Sequence, residues 1–171
     1  MTQSEVLFIG GRTGVGKSSV GSEIHIQLTA ARIWHGFIEG DNLDMAYPPP
    51  WERGLAEQNL AAMWGNYRAL GYRRLIYTNT VSVGVVDELT AAMGDNPSIT
   101  AVLLTSSDTT ARLRLGQREI GSALQPHIER GMVFARELEE RAPSWVHRVN
   151  TDDRAVADIA AEIIDLTGWT A

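Results

Sequence analysis

The chain has 171 residues, 44% of them hydrophobic, with 15 Lys and Arg against 21 Asp and Glu and no cysteine. This length and apolar content suit one compact domain, 1–171, with a core of its own, while the net charge of −6 argues against a broad nucleic-acid or anionic-membrane surface. Disulfides, thiolate metal sites and cysteine nucleophiles are excluded; no run reaches the roughly 18 apolar residues of a membrane span, and the first strand-like run lacks the basic flank of a secretory signal. The expectation is a cytoplasmic protein, monomer or dimer, that acts on small charged ligands.

In chain order, "EVLFI" reads as a short buried strand and runs into Gly11-Arg12-Thr13-Gly14-Val15-Gly16-Lys17-Ser18. This segment satisfies G-x-x-x-x-G-K-[ST] between an apolar strand and a helical segment, the context that gives the pattern meaning. Gly11, Thr13, Gly14, Val15, Gly16, Lys17, Ser18 and Ser19 are therefore candidates to cradle a nucleotide: backbone N–H groups meet phosphate, Lys17 neutralises β/γ charge and Ser18 ligates Mg²⁺. The second strand, "HGFIE", ends in Glu39-Gly40-Asp41, with Asp44 close behind, which puts carboxylates opposite the loop. Tyr47 and Trp51 flank three prolines, and Arg53 follows. Leu55, Leu60, Met63, Trp64, Tyr67 and Leu70 then form one helical stripe.

The third strand, "RRLIYT", ends in Thr78-Asn79-Thr80, where Asn79 is a candidate to hydrogen-bond an acceptor hydroxyl. The fourth, "ITAVLL", leads into "DTTARLRLGQRE", which supplies Arg112, Arg114 and Arg118. Leu124, Ile128, Met132, Ala135 and Leu138 make a second stripe. The fifth strand, "WVHRV", is followed by Asn150-Thr151-Asp152, and Val156, Ile159, Ala160, Ile163 and Ile164 make a third stripe. Asp152 or Asp153 is the expected cap of that last helix, with Gly94 and Gly168 as helix-ending residues. Strands alternating with helices predict parallel βαβ units in a doubly wound, three-layer α/β fold: a five-stranded parallel sheet with helices on both faces. Ligands then gather at the carboxyl ends of the strands.

The strand ends separate the classes that share this glycine-rich loop. A motor-type ATPase would end a buried strand in an acidic pair, whereas here hydroxyls and Asn79 stand after the third and fourth strands. A GTPase would carry N-K-x-D, whereas Asn150-Thr151-Asp152-Asp153 lacks the lysine. Preference for adenine over guanine follows, with groups around Asn150 and Asp152 as candidates to meet the base.

With Gly11, Gly14, Gly16, Lys17 and Ser18 in the loop and "EGDN" where D-G-D is usual, nearly the whole chain resembles the small P-loop metabolite kinases, the gluconate, shikimate and adenylylsulfate kinase group. It also looks like a bacterial group labelled ATPase or adenylylsulfate-kinase-like. The resemblance implies an ATP- and Mg²⁺-dependent phosphotransferase with Asp41 at the acceptor hydroxyl, Glu39 reaching Mg²⁺ through water, Arg114 against adenine and Arg118 toward the phosphates. It also implies an acceptor-binding role for Arg53 and a short lid near 114–122, with Gly121-Ser122 as hinge. An anionic or ring-containing acceptor near Tyr47, Trp51, Arg53 and Asn79 is expected. Two other readings stay open: a regulatory ATPase module with a protein partner, and a toxin-type sugar-nucleotide kinase.

Overall fold

A computed structural model describes residues 3–118 and 124–171, with the side chains of Trp51, Arg118 and 124–131 outside the description. Strands β1 (Glu5–Gly10), β2 (Gly36–Glu39), β3 (Arg74–Thr78), β4 (Ser98–Thr105) and β5 (His147–Asn150) alternate with helices α1 (Lys17–Ala30), α2 (Leu55–Ala69), α3 (Val86–Met93), α4 (Asp108–Arg118), α5 (Leu124–Arg141) and α6 (Val156–Thr167). All strands pair in parallel in the order β2-β3-β1-β4-β5. The three-layer α/β expectation therefore holds.

Period-two alternation splits the central strand between two cores. Val6 and Phe8 face one side with Leu60, Trp64, Leu89 and Leu138; Leu7 and Ile9 face the other with Ile24, Leu28, Ile159 and Ile163. A strand buried on both faces must be apolar at every position, which is why "EVLFI" carries no alternation in its sequence. The stripe predicted for α6 is borne out at Ile159, Ala160, Ile163 and Ile164, whereas that of α2 is narrower than predicted. In α2 only Leu60 and Trp64 are buried, with Tyr67 packed partly against the same core, while Met63 is 37% exposed and Leu70, which follows the helix, 71%. The last helix also departs from expectation: α6 begins after Ala155, which makes no side-chain cap. Neither Asp152 nor Asp153 caps it, and Asp152 instead accepts the Ser107 N–H. Gly94 and Gly168 end α3 and α6 in the left-handed conformation, as expected.

After β3 the chain crosses β1 to reach β4, so the switch in strand order falls at β1. The crevice beyond its carboxyl end is where the phosphate-type loop begins.

Candidate active site

The loop between β1 and α1 is built for close approach. Gly11, Gly14 and Gly16 have φ of 142°, 85° and 106°, the region that side chains disfavour. A Cβ on Gly14 would meet Leu115 Cγ at 2.9 Å and the Ala111 carbonyl at 3.0 Å, so α4 rests directly on the loop. Gly16 precedes α1 and gives no side-chain cap, which leaves the first-turn N–H groups and the positive end of the helix dipole open to an anion. Lys17 is buried and its Nζ donates to the Arg12 carbonyl at 3.3 Å. Thr13, Ser18 and Ser19 are exposed, whereas Val15 is packed in the core beneath α1.

At the end of β3 a chain of hydrogen bonds ties this loop to Asp41. Gly11 N–H donates to the Thr80 carbonyl at 3.2 Å. Thr80 in turn gives its own N–H to Asp41 Oδ1 at 3.0 Å and its hydroxyl to Oδ2 at 3.2 Å. Asn79 donates its backbone N–H to the Ile9 carbonyl and accepts the Val81 N–H on Oδ1 at 2.8 Å, so half of its side-chain amide is committed to the turn. Glu39 closes β2 and accepts from Asn42 at 3.5 Å. The structure thus brings Asp41 and Asn79 to the glycine-rich loop after β1. Tyr47, at 96% exposure, stands in solvent, and Arg53 is exposed. The expectations for the side chains of Trp51 and Arg118, and for the hinge at Gly121-Ser122, lie outside the described residues.

Tyr77, on β3 beneath these acids, is fully buried, and its hydroxyl lacks a hydrogen-bond partner. Its ring packs on Gly40, where no side chain could fit. Burial first, then Asp41, Glu57 and Asp44, raise its pKa and keep it a neutral donor.

On the other side of the loop, Arg114 from α4 donates Nη1 to the Val15 carbonyl and to Thr151 Oγ1, each at 2.9 Å, and Nη2 to the Thr151 carbonyl at 3.1 Å. Its N–H edge is committed to protein. A cleft of about 200 Å³ opens here between Gly16, Ser19 and Val20 of the loop and first helix, Arg114 and Gln117, and Thr151, Arg154, Val156 and Ile159. Asn150 and Asp152 flank Thr151 but are not among the residues that line it; Asp152 accepts the Ser107 N–H at 2.9 Å and gives its own N–H to Asn150 Oδ1 at 2.9 Å. Burial works to raise the Asp152 pKa, but bonds from Thr110, Ser107 and Asn150, with the Arg114 charge, hold it below the ordinary value. Arg12, unassigned from sequence, turns away from the cradle; only 4% exposed, it bonds Asp108 Oδ1 at 2.6 Å and the Ser106 carbonyl at 3.0 Å. A second cleft, of about 450 Å³, lies near the amino ends of β2 and β3, lined by His25, His35, Trp34 and Tyr72, and includes none of the phosphate loop.

No family model and no curated protein matches the sequence. Solved structures do match. A gluconokinase from Sinorhizobium meliloti 1021 aligns with TM-score 0.63 and 20% identity over 98% of this chain and 94% of its own. The tunicamycin resistance protein of Deinococcus radiodurans gives 0.67 and 18% over 97% and 96%. The APS kinase of Mycobacterium tuberculosis, in complex with AMPPNP and APS, gives 0.58 and 19% over 97% and 98%. The fold is that of the small P-loop kinases.

Within a P-loop kinase fold, the sequence reading passed over Gln117, Thr151, Arg154, Val156 and Ile159, which line the cleft beside the loop. Only Thr151 carried a signal, since it sits between Asn150 and Asp152 at a strand end. Among the described residues, no group of three or more His, Asp or Glu could hold a metal by itself. The exposed Ser18 hydroxyl and the partly exposed Glu39 carboxylate are hard oxygen donors, the kind that suits Mg²⁺ shared with phosphates and water. No helix of the described residues is long and apolar enough to cross a membrane.

Proposed function

We propose that this protein transfers the γ-phosphoryl group of ATP to a hydroxyl of a small molecule. The observation that carries this reading is the run of hydrogen bonds from Gly11 through Thr80 to Asp41, which sets a carboxylate at a fixed place beside a phosphate loop. The likeness to structures named as gluconokinase and APS kinase supports the reaction class.

ATP lies with its phosphates in the loop of Gly11, Thr13, Gly14, Val15, Gly16, Lys17, Ser18 and Ser19, where the Thr80 and Arg12 carbonyls already hold the N–H groups of Gly11 and Val15 and the others meet phosphate, and its adenine in the cleft that Arg114 lines, with Asn150 and Asp152 close by in sequence to Thr151. The N–H edge of Arg114 is taken by Thr151 and Val15, so the part of it left for a base is the face of the guanidinium. Ser18 and Glu39 would hold Mg²⁺, which when bound would offset charge on the phosphates. The acceptor oxygen forms a bond to γ-phosphorus; the bond from that phosphorus to the β-γ bridging oxygen breaks, its electron pair leaves with ADP, and the acceptor proton passes to Asp41. Phosphoryl transfer needs position and charge more than a strong base, and a carboxylate pinned at both oxygens gives position. Lys17 and Arg118 neutralise the transferring group. Arg53, Asn79, Tyr47 and Trp51 bound the acceptor side, and the segment near 114–122 serves as a short lid on a single domain.

The test is incubation of the protein with labelled ATP, Mg²⁺ and a metabolite extract, followed by mass spectrometry. A new phosphorylated organic product is expected. Release of inorganic phosphate alone would make this a hydrolase.

A further inference from the structure

We propose that the cleft of about 450 Å³ near the amino ends of β2 and β3 is a second ligand site, apart from the glycine-rich loop, for a small molecule that joins a planar ring to an anionic group. Its volume suits a compact ring compound, and the site stands whether or not phosphotransfer does.

The floor is a set of rings held in place by the fold. Tyr67 of α2, packed partly against the core, meets Tyr72 edge-on at 5.5 Å and 78°. Tyr72 in turn supports Trp34 at 5.6 Å and 38°. Both line the cleft, and Trp34 stays 66% exposed, so much of a large indole is open to stacking by a second ring.

Two histidines make the adjoining wall. His35 Nδ1 lies 2.7 Å from the Ile33 carbonyl, which can only accept, so Nδ1 carries the proton. Burial keeps this ring neutral near pH 7, which leaves its Nε2 as an acceptor. The 2.8 Å contact between that Nε2 and His25 Nδ1 is therefore donated by His25, and His25 Nε2 has no partner among the described residues. With the Thr29 hydroxyl, it is free to hydrogen-bond polar groups of a ligand.

The charge of the cleft is one-sided. Arg32 lines it and has neither hydrogen bond nor ion pair from its side chain among the described residues. It holds φ of 59°, so a guanidinium is kept at a position whose backbone favours glycine. No Asp or Glu lines the cleft, in a chain of net charge −6. The one carboxylate of α1, Glu23, is turned elsewhere: it accepts from Gln27, whose amide also donates to the Ala157 carbonyl beside α6. A guanidinium with no acid to neutralise it, next to an open ring face, selects an anion attached to a ring. An anion alone would meet an exposed charge in water, which is weak.

The experiment titrates ¹⁵N-labelled protein with benzoate and with phenyl phosphate, in the presence of ADP and Mg²⁺ to keep phenyl phosphate out of the glycine-rich loop. The readout is the Trp34 indole N–H resonance, assigned by its loss in Trp34→Phe. A saturable shift with either ligand is expected, and the tighter of the two tells whether carboxylate or phosphate is preferred. Benzyl alcohol, with the ring and no charge, and inorganic phosphate, with the charge and no ring, should each bind several-fold more weakly. Arg32→Gln, checked for wild-type melting, should weaken both ring anions several-fold and leave benzyl alcohol unchanged. An indole resonance unmoved by millimolar benzoate and phenyl phosphate would overturn the site. Equal binding of benzyl alcohol, or unchanged binding of the ring anions in Arg32→Gln, would overturn the ligand class.

Discussion

Both oxygens of Asp41 are engaged by one residue, Thr80, through its N–H at 3.0 Å and its hydroxyl at 3.2 Å. The Thr80 carbonyl also accepts from Gly11, so this one residue links the glycine-rich loop to the carboxylate. Thr80→Val removes the hydroxyl bond and keeps the backbone one. It should lower kcat by about tenfold with KM for ATP unchanged, on the scale of one lost hydrogen bond of about 0.5–1.5 kcal/mol. Asp41→Asn should lower kcat by about 10²–10⁴-fold, with ATP affinity by calorimetry held.

Lys17 is buried at the loop, and in the proposed reading its charge meets the β- and γ-phosphates. Lys17→Ala should weaken binding of the triphosphate more than that of the diphosphate. Calorimetry with a non-hydrolysable ATP analogue and with ADP gives the comparison, and equal losses for both ligands would speak against a γ-phosphate contact.

In the proposed reading, the cleft beside the loop sets the base preference. Arg114 lines it and also braces Val15, so Arg114→Ala should raise the Kd for ATP and, with the brace gone, lower the melting midpoint. Wild-type protein should prefer ATP over GTP in a displacement assay. Equal competition by GTP would show that the polar edge around Asn150 and Asp152 does not read adenine.

Arg12 is a buried guanidinium paired with a partly exposed acid. Asp108→Ala leaves it with the Ser106 carbonyl as its remaining recorded side-chain partner and should destabilise by about 1–3 kcal/mol, read by chemical denaturation. Asp108→Asn, which keeps an acceptor oxygen, should recover part of the loss.

Two groups give the stability a pH dependence of known sign. Burial, aided by the neighbouring His25 charge and opposed by the bond to the Ile33 carbonyl, lowers the pKa of His35 from 6.5. The unfolded chain then binds the proton more readily, so stability is full above about 6.5 and falls as pH drops toward the folded value. Asp152, also lowered, acts in a separate acidic window: its contribution is present above the unfolded carboxylate pKa and fades as pH falls through the folded one. The melting midpoint should therefore decline from pH 7.5 to 5.5, and less so in His35→Phe. An identical decline in that variant would remove His35 as the cause.

Much of the fold was legible because its signals are local. Parallel strands buried on both faces read as short apolar runs, and "GRTGVGKS" encodes its own backbone through its glycines. The features that escaped reading depend on partners far away in sequence. Arg12 reaches Asp108, Arg114 reaches Thr151 and Val15, and the Tyr77 hydroxyl meets Gly40, so none could be inferred from neighbours. The cap of α6 was misread for a related reason: Asp152 has the right residue type and position, but Ser107 of the adjacent strand end competes for its oxygens. The stripe of α2 was overextended because periodicity marks which residues share a face, not how far the sheet reaches beneath them.

The most direct measurement is the fate of the γ-phosphoryl group when the protein turns over ATP in ¹⁸O-water with a metabolite extract. Transfer to an acceptor hydroxyl gives a phosphorylated organic product free of solvent oxygen, formed by the wild type and nearly lost in Asp41→Asn. Inorganic phosphate carrying ¹⁸O as the only product, formed equally by both proteins, would contradict the assignment.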